Sequence, residues 1–286
     1  MSPKEKKELS ESDIKAKFIT PAIVSAGWDE MTQIRREVTL TPGPVVVRGN
    51  LSSRNKKKKK FADYVLQKEK GVPMAVVEAK DNSHTISDGL QQALGYAELL
   101  DVPCAFSSNG DGFASHDKTA PDGQDIEIQF GMDVFPGPDE LWRRYKAYRG
   151  IPDAQEALVT EPYFDDGSKK EPRYYQAEAI NRVIEKVAQG EKRLLLVMAT
   201  GTGKTYTTFQ IIYRLWKAKK VKRILFLVDR NILADQTLVN DFKPFGSVMT
   251  KIRNRKIDPS YEIYLGLYHV ESRAKLSQAS HPKLSH

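Results

Sequence analysis

Asp63, Glu78 and Lys80 have the types and spacing of a hydrolytic site. Glu78 and Lys80 are two apart at the end of the apolar run Met74 to Lys80. In a strand both side chains leave the same face. An acid and an amine at the end of a buried strand are costly unless they are used. Asp63 lies fifteen residues before Glu78, in the run Phe61 to Leu66. Gly71 to Pro73 makes a turn, so the two runs read as a hairpin that brings both acids to neighbouring strands. Two carboxylates converging there suit a Mg²⁺ ion with open water positions. A lysine beside them can orient or deprotonate the attacking water, which is the chemistry of metal-assisted phosphodiester hydrolysis.

A second constellation is Leu194 to Thr208, LLLVMATGTGKTYTT. It reads as a buried strand, Leu194 to Met198, then a Gly-rich turn, then a helix. Gly201 and Gly203 let backbone N–H groups point at phosphate oxygens, and the helix adds its positive end. Lys204 would reach the β- and γ-phosphates, and the Thr205 hydroxyl would hold Mg²⁺. The usual pattern has a glycine five residues before Gly203; here Met198 stands there.

The elements that must position these residues follow from pattern. Glu11 to Ala26 reads as a helix capped by Ser12, with Ile14, Phe18 and Ala22 on one face. Strands are expected at Ile34–Leu40, Val45–Arg48, Phe61–Leu66, Met74–Lys80, Val102–Ser107 and, at an edge, Ile126–Phe130. Asn109 to Gly112 is a hairpin turn, and Phe113 and Ala114 begin the returning strand. Asp88 to Leu100 reads as a helix with Leu90, Leu94 and Ala97 inward, and Gln92 and Tyr96 together on one face. Leu141–Tyr148 is a short helix. Arg173 to Gln176 opens a helix carrying Ala179, Ile180, Val183, Ile184 and Val187 at helical spacing. Tyr206–Trp216 then reads as a crossover helix between parallel strands, with Arg223–Val228 and Ile263–Leu267 as further strands.

The chain has 286 residues and a net charge of +8, which suits a polyanionic partner. Seven basic residues and no acid lie between Arg48 and Lys60; the KKKKK run is either a solvated loop tip or a DNA-backbone contact. One cysteine, Cys104, excludes a disulfide framework. With no secretory signal and no apolar run of membrane length, a reducing cytoplasm is expected and a membrane is not.

An acid, Glu-x-Lys, then Gln-x-x-x-Tyr on the next helix resembles the RecB-like branch of the PD-(D/E)xK nucleases. Asp63, Glu78, Lys80, Gln92 and Tyr96 carry the match. With the nucleotide loop, the chain is similar to the amino-terminal part of the restriction (R) subunit of type I restriction-modification enzymes. ESDIKAKFITPAIVSAGW, FADYVL, VVEAK, RYYQAEAI and MATGTGKT support this, up to about Tyr268. The resemblance implies ATP, Mg²⁺ and double-stranded DNA, with methylation and specificity subunits as partners that read the DNA sequence. It assigns catalysis to the five residues above, with Asp63 and Glu78 as metal ligands. It assigns nucleotide binding to Thr200, Gly201, Thr202, Gly203, Lys204 and Thr205, and adenine reading to Gln176 supported by Arg173. An amide can donate to and accept from adenine at once. Asp229 and Arg230 would face nucleic acid, or form a local salt bridge.

The implied fold is α/β: a PD-(D/E)xK nuclease domain with a mixed sheet flanked by helices, followed by an incomplete RecA-like parallel domain. The expected boundaries are 1–149 for the nuclease domain, 150–172 for a Pro- and Gly-rich linker, and 173–286 for the ATP-binding domain. No Asp-Glu-x-His follows Lys204, so the chain is expected to be a fragment or a shortened reading frame that does not turn ATP over. Two other readings stay open: a stand-alone RecB-like nuclease with a vestigial ATPase piece, and a non-catalytic ATP/DNA-binding module.

Overall fold

The structure is a computed structural model describing residues 2–41, 45–48, 51–54, 60–168, 171–228, 242–252 and 256–267. The chain divides into two compact units, Met1–Val197 and Met198–His286. The side chains of the basic run from Arg48 to Lys59, Asp229, Arg230 and the tail from Ala274 lie outside the described residues.

The first unit opens with α1 (Pro3–Lys7), α2 (Glu11–Ile14), a five-residue π-turn (Lys15–Ile19) and α3 (Thr20–Ser25). Ser10, rather than Ser12, caps α2 by accepting from the Asp13 N–H at 3.1 Å. The buried residues are Ile14, Ile19 and Ile23, not Ile14, Phe18 and Ala22. A π-turn carries one more residue than an α-turn, so the inward face moves one position along after Ile14.

A six-stranded sheet follows, built from β1 (Ile34–Thr41), β4 (Lys60–Gln67), β5 (Pro73–Ala79), β6 (Cys104–Ser108), β7 (Gly112–Asp117) and β8 (Glu127–Gly131). The short β2 (Val45–Arg48) and β3 (Leu51–Arg54) pair with each other in a separate two-stranded sheet. The order is β1-β4-β5-β6-β7-β8, and every neighbouring pair is antiparallel except β5 and β6. That parallel pair needs a crossover, which α4 (Leu90–Leu100) supplies. Helix α4 starts two residues later than its pattern suggests, because the Asp88 carboxylate bonds back to Thr85 and holds a turn. Its buried face, Leu90, Ala93, Tyr96 and Ala97, packs on Ala62, Val65, Val76 and Ala105 of the sheet.

The unit closes with α5 (Pro138–Arg149), α6 (Glu156–Thr160) and α7 (Tyr174–Ala188). Helix α7 buries Gln176, Ile180, Ile184 and Ala188, four residues apart. Tyr145 donates to Glu185 at 2.5 Å and so joins α5 to α7. The β4–β5 turn is clasped from the same side: Tyr163 Oη and Asn181 Nδ2 both donate to the Gly71 carbonyl, at 3.1 and 2.9 Å.

The run Leu194–Met198 is not a strand. It forms no regular secondary structure, with Leu195 89% and Val197 83% exposed. A central strand needs neighbours to pair its N–H and C=O groups, and no described strand pairs with this one. The second unit holds α8 (Lys204–Lys217) and a parallel sheet of β9 (Ile224–Val228), β10 (Met249–Lys251) and β11 (Ile263–Leu267), in the order β10-β11-β9. Phe209 of α8 packs on Phe242 and Phe245, and Phe226 of β9 stacks on Phe242.

Candidate active site

Register decides which acids meet. Strands β4 and β5 pair Tyr64 with Val77, so the next residues along are Asp63 and Glu78. Both are buried, Asp63 at 9% and Glu78 at 3% exposure. The site sits where the parallel strand β5 ends and the chain leaves for α4, the usual place for a ligand site in such sheets.

Every polar atom but one is engaged. Asp63 Oδ2 accepts from the Ala79 N–H at 2.8 Å. Lys80 Nζ donates to Glu78 Oε1 at 3.1 Å and to Gln92 Oε1 at 3.2 Å. Gln92 Nε2 donates to Tyr96 Oη at 2.8 Å. Glu78 Oε2 is buried with no hydrogen-bond partner. Burial, and then the Asp63 charge, push the Glu78 carboxyl up to about 7, against the pull of Lys80. An orphaned carboxylate oxygen beside a second carboxylate fits a hard cation. The structure thus brings together all five residues expected to act here.

Lys15 was not legible in the sequence. It stands at the start of the π-turn, and its ammonium lies 2.9 Å from Asp63 Oδ1, 2.7 Å from Glu37 Oε1 and 3.6 Å from Glu11 Oε1. Burial works against its charge, but Glu37 and Asp63 hold it well above the ordinary lysine range. Glu37 adopts φ 51°, a left-handed conformation that costs a non-glycine residue about 1 kcal/mol or more. Its placement depends on the π-turn, which no sequence periodicity announces.

The nucleotide loop lies in the second unit. Gly201 and Gly203 have φ of 80° and 85°, which only glycine adopts freely. Gly203 starts α8 without a side-chain cap, which leaves the first N–H groups of the helix for an anion. Lys204 Nζ donates to the Met198 and Ala199 carbonyls at 3.2 and 3.1 Å, and Thr202 Oγ1 donates to Ala199 at 2.6 Å. Lys204 begins the helix and Thr205 follows it. Arg173 and Gln176 belong to the first unit, where the Gln176 side chain accepts from the Arg173 N–H at 2.9 Å as a cap of α7.

Comparison with known proteins shows what the chain resembles. The chain is 56% identical over 260 residues to the EcoAI type I restriction endonuclease subunit of Escherichia coli, covering 91% of this chain and 32% of that protein. Over nine-tenths of its length this chain is similar to the type I restriction endonuclease subunits. The EcoKI endonuclease subunit of E. coli K12 is 28% identical over 219 residues, 62% of this chain and 18% of that protein. A fragment of a candidate HsdR subunit from Vibrio vulnificus YJ016 superposes with a TM-score of 0.76 at 37% identity, covering 91% of this chain and 47% of that one. The chain thus spans about a third of the EcoAI type I subunit. The family model described as "Type III restriction enzyme, res subunit" matches residues 169–285, which include α7, the nucleotide loop and the parallel strands. Among the described residues, no helix is long and apolar enough to cross a membrane.

Proposed function

We propose that the first unit hydrolyses phosphodiester bonds of double-stranded DNA with one or more Mg²⁺ ions, as part of a type I restriction endonuclease. The observation that carries this reading is the carboxylate pair Asp63–Glu78, with Glu78 Oε2 buried and unpartnered and Lys80 bound to its other oxygen. Mg²⁺ commonly binds one or two carboxylates and completes its shell with water and phosphate oxygens. Once bound, it supplies Lewis-acid activation of the phosphate and stabilises the leaving oxygen. Asp63 is oriented by the Ala79 N–H and by Lys15. Lys80 Nζ, steered by Gln92, would orient the attacking water, and Glu78 Oε1 fixes the amine in place. Tyr96 locks the Gln92 amide.

The loop from Thr200 to Thr205 is proposed to bind ATP, with Lys204 on its phosphates, Thr205 on Mg²⁺, and Arg173 and Gln176 for the base. Coupling of cleavage to ATP-driven translocation belongs to the same proposal, as do methylation and specificity subunits as partners and the cytoplasm as location.

The test is DNA cleavage in the assembled restriction complex. Asp63→Ala and Glu78→Ala should abolish Mg²⁺-dependent cleavage, a loss of at least about a thousandfold, with thermal melting retained. Lys80→Ala should lose cleavage but keep DNA binding. Lys80→Arg should not restore it, because a guanidinium is bulkier and does not give up its proton. Wild-type cleavage by Asp63→Ala would sink the site, and normal rates in Lys80→Arg would reduce Lys80 to a positive charge.

A further inference from the structure

Asp63 has two oxygens and two directions of approach. Oδ2 accepts from the Ala79 N–H at 2.8 Å on β5, the strand that also carries Glu78, whose Oε2 is left without a partner. The other, Oδ1, faces the amino-terminal helix and is met by Lys15 Nζ at 2.9 Å. On that side Glu37 Oε1 lies 2.7 Å from the same ammonium, and Glu11 Oε1 lies 3.6 Å from it. Three carboxylates from three elements therefore surround one amine. Such a shell is what a hard divalent ion takes in sites that bind two ions through a shared carboxylate.

Two backbone departures serve this arrangement. The π-turn begins at Lys15 and lets Ile14 stay buried on one side of it and Ile19 and Ile23 on the other. The lysine is thus pinned between core anchors instead of swinging in solvent. Across from it, the β1 ladder passes from the Arg36–Tyr64 pair to the Val38–Ala62 pair, and the residue between, Glu37, has φ 51°. Strain at a non-glycine residue persists only where surroundings enforce it, and such strain clusters at functional sites. Among the described residues no group of three or more Asp, Glu, His or Cys side chains is placed to hold a metal ion.

We propose that Lys15 is a built-in cation: its ammonium occupies the position at Asp63 Oδ1 that a second divalent ion would fill, so the carboxylate pair loads a single ion. Lys15 is then a positioning residue for the cleavage reaction, acting through Asp63. This rests on the metal site proposed above.

The experiment counts ions and then asks whether metal replaces the lysine. Mn²⁺ is titrated into the nucleotide-free 286-residue chain, so that Thr205 contributes no site. Wild type and Lys15→Arg should bind one ion, and Lys15→Gln should bind a second, weaker one. In the assembled complex, Lys15→Gln should need on the order of tenfold more Mg²⁺ for half-maximal cleavage, the worth of one charge-assisted bond, and should approach the wild-type rate at saturating Mg²⁺. A merely structural lysine would lower stability without any rescue by metal. Two ions in the wild type would overturn the inference while leaving the proposed function intact. So would one ion and an unchanged Mg²⁺ dependence in Lys15→Gln. A wild type that binds no Mn²⁺, with Glu78→Ala identical to it, would overturn the metal site itself and this inference with it.

Discussion

Glu78 is a carboxyl group whose burial and charged neighbour favour its proton. In the metal-free protein its pKa is raised to about 7 from the ordinary 4.5. The folded state therefore holds the proton more tightly than the unfolded chain does. No penalty exists below the unfolded value; it grows as pH rises between the two values and is complete above the folded one. Glu78→Gln removes the charge and keeps the shape. Its melting temperature should match wild type near pH 4 and exceed it at pH 8, by on the order of 2–3 kcal/mol of stability. Saturating Mg²⁺ should erase the difference by stabilising wild type alone. Equal melting of both proteins at pH 8 without metal would show that Glu78 ionises freely. At this scale the sequence was informative about Asp63, Glu78, Lys80, Gln92 and Tyr96, because strand and helix periods fix which side chains share a face. It was silent on Lys15, whose partners Asp63 and Glu37 are 48 and 22 residues away and whose aim depends on an irregular turn.

Among the elements, the hairpin of β4 and β5 carries the site at one end and a clasp at the other. The clasp depends on Gly71, which has φ 90° and whose added Cβ would lie 1.9 Å from the Tyr163 ring. Gly71→Ala should destabilise the first unit by roughly 2–4 kcal/mol, from overpacking and left-handed strain together. Tyr163→Phe keeps the ring and loses only its hydroxyl bonds, so it should cost about 1 kcal/mol. Denaturant midpoints of the two variants would check the ordering, and an unperturbed Gly71→Ala would mean the clasp is not formed in solution. Strands β1, β4 to β8 and helices α4, α5 and α7 were legible as alternation, turn residues and helical spacing. Leu194–Met198 was misread because an apolar run states a tendency to be buried in a sheet, while the partner strands that would realise it are a tertiary fact. The inward face of the first helices was misread for a related reason: the 3.6-residue period has no provision for an inserted residue.

For the whole molecule, the two compact units meet in sequence within a segment that has no regular secondary structure, residues 191–199, most of it exposed. Lys192 and Arg193 are both exposed there. Exposed segments without secondary structure are the preferred places for proteolytic nicking. Brief trypsin treatment should cut after Lys192 or Arg193 and release a first unit that keeps its melting transition, as read by mass spectrometry and circular dichroism. Resistance of this segment, while other exposed lysines are cut, would mean that it is paired in solution.

The same segment governs how the protein behaves in a crowded tube. Leu194, Leu195, Leu196 and Val197 are 43%, 89%, 40% and 83% exposed, and no described strand pairs with their backbone. An exposed aliphatic run is adhesive toward its own kind. Light scattering should therefore rise with protein concentration and with salt, since salt screens the +8 net charge that keeps molecules apart. Leu195→Lys, at the most exposed of the four positions, should return the solution to concentration-independent scattering.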